Sequence, residues 1–166
     1  MKIKEILAAG RPSVSFEVFP PKKDAPFAPV KEAIERLAKQ RPSFMSVTYG
    51  ASGNAQANTT AIASHVQSCG VTALAHLTCI SATREGIAKE AAALRNAGIE
   101  NVLCLRGDAP KDAAPSGDFL HAVDLVRALA GSGFCRGGAC YPECHPECEH
   151  IEDDIRRLRE KVEAGL

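Results

Sequence analysis

The chain has 166 residues, 45% of them hydrophobic and 24% charged, a composition ordinary for a globular protein with length enough for one core. Twenty lysines and arginines balance twenty aspartates and glutamates, so the charge gives no reason to expect a nucleic-acid backbone or an anionic membrane surface as partner. Charge inside Met1-Lys2-Ile3-Lys4-Glu5-Ile6-Leu7 argues against a signal core, no apolar run approaches the roughly 18–20 residues of a membrane span, and seven cysteines without a secretion signal favour reduced thiols. A cytoplasmic location follows as the expectation.

Ile3 to Ala9 reads as a short lead-in helix, and after it apolar, β-branched runs alternate with longer stretches of helical period. The strands are expected at Val14–Phe19, Phe44–Thr48, Ala73–Leu77, Val102–Leu105 and Gly138–Tyr141, and the helices at Ala28–Lys39, Thr59–Ser68, Arg84–Ala97, Ala122–Ala130 and Ile151–Ala164. Thr83 stands where an N-cap belongs, before Arg84-Glu85-Gly86-Ile87, and Gly70, Gly98 and Gly131 follow helices as C-terminal glycines.

The unit is therefore βα, repeated five times in one domain, residues 1–166. Such a repeat makes either an open doubly wound sheet or a closed (β/α)8 TIM barrel. No glycine-rich phosphate loop follows the first strand, which weakens the doubly wound reading and favours the α/β barrel. A complete barrel takes about 250 residues, so about five of its eight units are expected here, with three missing after Ala164-Gly165-Leu166.

In a parallel α/β protein the C-terminal strand ends form the rim where ligands bind. Polar residues gather at those ends. Glu17, followed by Pro20-Pro21, places a carboxylate at the rim, where partial burial would raise its pKa above the ordinary value of about 4.3 and let it donate a proton near neutrality; the alternative is a salt-bridged structural glutamate. In Leu105-Arg106-Gly107-Asp108, Gly107 permits close backbone approach and Arg106 offers a planar fork for an anion, although Arg-Gly-Asp before Ala-Pro is also a simple turn. His76 is either a satisfied core histidine or a ring nitrogen that shares a planar ligand with Thr48 and Tyr49 one unit earlier, next to a loop made flexible by Gly50 and Gly53.

Taken together and in order, Phe16-Glu17-Val18-Phe19-Pro20-Pro21-Lys22, Ser46-Val47-Thr48-Tyr49-Gly50-Ala51, Ala75-His76-Leu77-Thr78-Cys79, Leu105-Arg106-Gly107-Asp108 and Tyr141-Pro142-Glu143-Cys144-His145-Pro146-Glu147 resemble the methylenetetrahydrofolate reductase family over about Pro12 to Gly165. The resemblance implies a flavoprotein oxidoreductase that binds FAD on a barrel rim, takes a hydride from NADH or NADPH and converts 5,10-methylenetetrahydrofolate to 5-methyltetrahydrofolate, in one-carbon metabolism and methionine supply. It implies Glu17 as the acid that protonates N10 of the folate and opens its five-membered ring to an iminium. It also implies Asp108 as the carboxylate beside flavin and folate that stabilises the developing positive charge. By the same match Thr48, His76, Arg106, Gly107, Asp108, Tyr141, His145, Asp154 and Lys161 are flavin contacts.

The chain departs from the family in lacking its later Thr-Gln strand and in carrying Asn54-Ala55-Gln56-Ala57-Asn58 where charged residues are common. The rival reading is a remnant or partner-dependent half-barrel, whose open edges would associate with a second copy or a complementing chain and which alone would reduce little or no folate. A zinc site among Cys135, Cys140, Cys144, His145, Cys148 and His150 is disfavoured because no Cys-x2-Cys knuckle is present, so no metal is expected.

Overall fold

The computed structural model of the chain describes residues 1–21, 25–49, 55–108 and 117–166. A short helix α1 (Ile3–Ala8) leads into five alternating pairs: β1 (Ser15–Val18) and α2 (Ala28–Ala38), β2 (Phe44–Val47) and α3 (Ala55–Ser68), β3 (Ala73–Thr78) and α4 (Arg84–Asn96), β4 (Asn101–Leu105) and α5 (Ala122–Ala128), β5 (Cys135–Gly138) and α6 (Ile151–Glu163). The strands are all parallel and lie in chain order, β1-β2-β3-β4-β5. Strands in simple succession, each joined by a helix to the next, are the βα arrangement of a TIM barrel, whereas a doubly wound sheet reverses its order at a switch point.

The two faces of this sheet differ in cover. Val18, Met45, Val47, Ala73, Ala75, Leu77, Val102 and Cys104 alternate along their strands and are buried beneath α2, α3 and α5. They form the core together with Ile34, Ile62, Val66, Ile87, Leu94, Leu125 and Val126 from the helices. Residues on the other, inner face run in hydrogen-bonded register from Glu17 to Ser46, Leu74, Asn101 and Cys135. Glu17 is the third residue of its strand and Asn101 the first of its own, which is the stagger that tilted barrel strands require.

Helix α1 closes the lower end of this inner face. Asn101, only 2% exposed, accepts from the Ile3 amide at 2.8 Å and donates Nδ2 to the carbonyls of Met1 and Ala73 at 3.1 and 3.2 Å. Asn101→Ala would leave a buried amide and a buried carbonyl without partners, at a cost of about 2 kcal/mol; a lowered urea midpoint with unchanged slope is the expected result.

Most expected elements form. Thr83 caps α4 by accepting from the Gly86 amide at 3.1 Å, and Gly70, Gly98 and Gly131 all take positive φ after their helices. Two boundaries differ materially. Helix α3 begins at Ala55, so residues expected in a loop are helical, while the flexible loop expected at Gly50 and Gly53 lies outside the described residues. The fifth strand is Cys135–Gly138, not Gly138–Tyr141. It pairs with Asn101–Cys104, and its glycines answer to packing: a Cβ on Gly137 would come within 3.3 Å of the Leu103 side chain, and one on Gly138 within 2.5 Å of Leu166. A strand selected for thinness carries no apolar alternation by which to find it.

Candidate active site

The inner face and the upper strand ends bring several polar groups together. His76 stands one residue beyond the Val47–Ala75 pairing on its strand, as Thr48 does on its own, so the two are neighbours across β2 and β3. The Thr48 hydroxyl donates weakly to the Val18 carbonyl at 3.4 Å, and its own carbonyl accepts from Thr59 Oγ1 at 3.2 Å, tying the start of α3 to the rim. Burial pushes the His76 imidazole below its ordinary pKa while the Glu17 carboxylate pulls it the other way, so the ring is neutral at pH 7. Glu17 itself is exposed. The partial burial expected for it is not found, because β1 is the edge of the sheet and its inner face has a neighbouring strand only on the β2 side.

Past β4, Arg106 directs its fork at Glu147, with Nη1 and Nη2 each 2.7 Å from a carboxylate oxygen, and its Nε reaches the Gly107 carbonyl at 3.3 Å. The hydrogen bonds from Arg106 hold the Glu147 carboxyl down to about 2. A depressed folded-state pKa means that the pair's contribution is present above the ordinary carboxylate value of 4.5 and is lost as pH falls through about 2. A carboxyl carbon titration of Glu147 should therefore show a midpoint far below the ordinary carboxylate value, and Arg106→Gln should return it to the ordinary range.

Glu147 belongs to the loop between β5 and α6, which folds on itself. The Cys148 amide donates to the His145 carbonyl at 2.8 Å, the Glu147 amide donates to His145 Nδ1 at 3.1 Å, and the His145 amide donates to Asp154 Oδ2 at 3.1 Å. Tyr141 meets the His145 ring edge-on, with centroids 4.6 Å apart. Lys161 of α6 donates to the Ala139 carbonyl at 2.9 Å and anchors the exit of β5.

The sequence pattern of methylenetetrahydrofolate reductase matches residues 2–166. The chain belongs to the methylenetetrahydrofolate reductase family. It is 37% identical over 158 residues to the 5,10-methylenetetrahydrofolate reductase of Pectobacterium carotovorum, covering 94% of this chain and 52% of that protein. The Escherichia coli protein of the same name is also 37% identical, over 94% of this chain and 53% of its own length. The Arabidopsis thaliana methylenetetrahydrofolate reductase (NADH) 1 is 37% identical over 99% of this chain and 31% of the plant protein. The chain thus spans about half the length of these bacterial relatives, and its five parallel βα units are part of the family's TIM barrel.

Within this methylenetetrahydrofolate reductase rim, Glu17, Thr48 and His76 share the inner face, and Arg106, Gly107 and Asp108 follow directly on β4. Tyr141 and His145 meet edge-to-face in the β5–α6 loop, which the Arg106–Glu147 pair joins to the end of β4. Asp154 and Lys161 are engaged with backbone of that same loop region, so their polar atoms brace it. Tyr49 does not join Thr48: just past the end of β2, the Tyr49 hydroxyl donates to Glu90 Oε1 of α4 at 3.0 Å. Burial raises both pKa values, with Glu90 adding to the rise for Tyr49, so this is a packed brace on the outer side. Sequence reasoning missed Glu147 as the partner of Arg106. The Glu147 carboxylate stood in the quoted loop motif, but no local spacing links it to an arginine 41 residues earlier.

Among the described residues no cluster of three or more histidine, cysteine or acidic side chains has the arrangement to hold a metal, and no helix is long and apolar enough to cross a membrane.

Proposed function

We propose that this chain supplies the flavin-binding part of a methylenetetrahydrofolate reductase, which reduces 5,10-methylenetetrahydrofolate to 5-methyltetrahydrofolate with FAD and a nicotinamide donor. The single observation that carries the reading is the convergence of Thr48, neutral His76, Arg106 and Gly107 on adjoining strand ends, in a chain of this family. The donor set suits a dinucleotide: a planar cation for pyrophosphate, hydroxyl and imidazole groups for polar edges, and the exposed Tyr141 ring for an aromatic face. Arg106 is held by Glu147 through an exposed pair whose attraction water screens, so a pyrophosphate can compete with that carboxylate for the guanidinium.

FAD, when bound, would carry the hydride from nicotinamide to folate. The chain's own work is to orient and to move protons. Glu17, exposed on the inner face close to His76, is placed to deliver a proton to the folate nitrogen whose loss opens the ring. Asp108, exposed directly after Gly107, puts a negative charge where a cationic intermediate would develop. Residues 1–166 act in this reading as one partial-barrel domain in the cytoplasm, feeding one-carbon and methionine metabolism.

A second reading is favoured by the sheet itself. Among the described residues β1 and β5 each have an unpaired edge, so further strands, from a second copy, a complementing chain or more units of the same barrel, would be needed to enclose substrate. The visible absorption spectrum of the purified, desalted protein, before and after excess FAD, tests the primary reading. A retained, protein-shifted flavin band supports it, with Glu17→Gln leaving that band in place and Arg106→Ala weakening it. A colourless protein that releases all added FAD on desalting would overturn it.

A further inference from the structure

The β5–α6 loop carries two thiols that the proposed chemistry does not use. Cys144 Sγ donates to the Cys148 carbonyl at 3.5 Å, and Cys148 Sγ donates to the His150 carbonyl at 3.2 Å. The carbonyl that Cys144 touches belongs to Cys148 itself, so the Cys144 sulfur lies against the backbone that carries the second thiol. The His145–Cys148 turn, closed at 2.8 Å, holds this approach, and Cys144, at the start of it, takes φ +78. Both cysteines are free and only partly covered.

We propose that Cys144 and Cys148 form a reversible disulfide, making this loop a thiol-oxidation site next to the rim. The ring so closed contains His145, Pro146 and Glu147, and hence the carboxylate that holds Arg106. With a low-molecular-weight disulfide as oxidant, one protein thiolate attacks a sulfur of the oxidant, forming a mixed disulfide and releasing one small thiolate. The second protein thiolate then attacks the protein sulfur of that mixed bond, forming Cys144–Cys148 and releasing the other small thiolate. Two protein thiols are oxidised, one small disulfide is reduced to two thiols, and the protons from the protein thiols end on those products. A ring this short restricts the unfolded chain little, and exposed disulfides of this kind are the easily reduced ones. Cys140, four residues before Cys144 and exposed, is the internal control, and Cys79 and Cys104 are buried on the outer face.

The inference does not depend on flavin or folate binding, and its test reads covalent structure alone. The full chain is treated with oxidised glutathione, its remaining thiols are alkylated, and intact mass and proteolytic peptides are measured. Loss of two hydrogens per chain is expected, with one peptide linkage joining Cys144 to Cys148, unaffected by Cys140→Ser, abolished by Cys144→Ser and by Cys148→Ser, and reversed by dithiothreitol. Stable glutathione adducts on either cysteine without a bridge, or a bridge from either one to Cys140, would overturn it.

Discussion

Gly107→Val is expected to lower the stability of the protein by several kcal/mol and, on the function proposed above, to abolish flavin retention. Gly107 has φ +86, where a β-branched residue costs about 1–3 kcal/mol in backbone strain alone. There is also no room. A Cβ at this position would stand 3.0 Å from Ile80 Cγ2 and 3.1 Å from the Thr78 Cβ, and overpacking of this kind adds about 1–3 kcal/mol more. The neighbours cannot simply retreat, because the Ile80 amide donates to the Arg106 carbonyl at 2.7 Å and the Cys79 amide to the same carbonyl at 3.2 Å. The peptide before Gly107 is thereby clamped to the end of β3, and moving it displaces Arg106 and Asp108 together. Urea unfolding should show a markedly lowered midpoint, and added FAD should be lost on desalting; a variant with the parent midpoint and spectrum would mean that the rim does not need this turn. Gly107→Ala, with the same backbone strain but less bulk, should fall between the two.

The βα rhythm was legible because it rests on the period of burial, and that period is written in Met45 and Val47, in Ala73, Ala75 and Leu77, and in Val102 and Cys104. Where burial is achieved by absence of side chain, the signal vanishes. β5 is Cys-Arg-Gly-Gly, its glycines admitting Leu103 and Leu166, and its Arg136 faces outward to donate to the carbonyls of Val126 and Ala164 at 2.7 and 3.4 Å. Neither a period of two nor a run of branched residues marks such a strand. Candidate site residues were legible as types at strand ends. Their partners were not: the Arg106–Glu147 and Tyr49–Glu90 pairs each span 41 residues, and only the packed fold brings them together.

Leu77→Ala and Leu74→Ala, three residues apart on the same strand, are expected to differ severalfold in cost. Leu77 is 1% exposed on the helix-covered face, and its truncation leaves a cavity among Ala75, Cys79 and the side chains of the overlying helices, worth about 2–5 kcal/mol. Leu74 points to the inner face and is only partly covered, between Ser46 and Asn101 on the adjoining strands, so its loss should cost about 1 kcal/mol. In a closed barrel both faces of a strand are packed, and the two costs would be alike. The ratio of the two shifts in urea midpoint therefore measures how well the inner face is enclosed in solution. A large ratio describes the open five-stranded sheet. Equal losses would mean that another copy, or further barrel units, cover Leu74, and that the surface around Glu17 and His76 is walled on the side where this chain leaves it open.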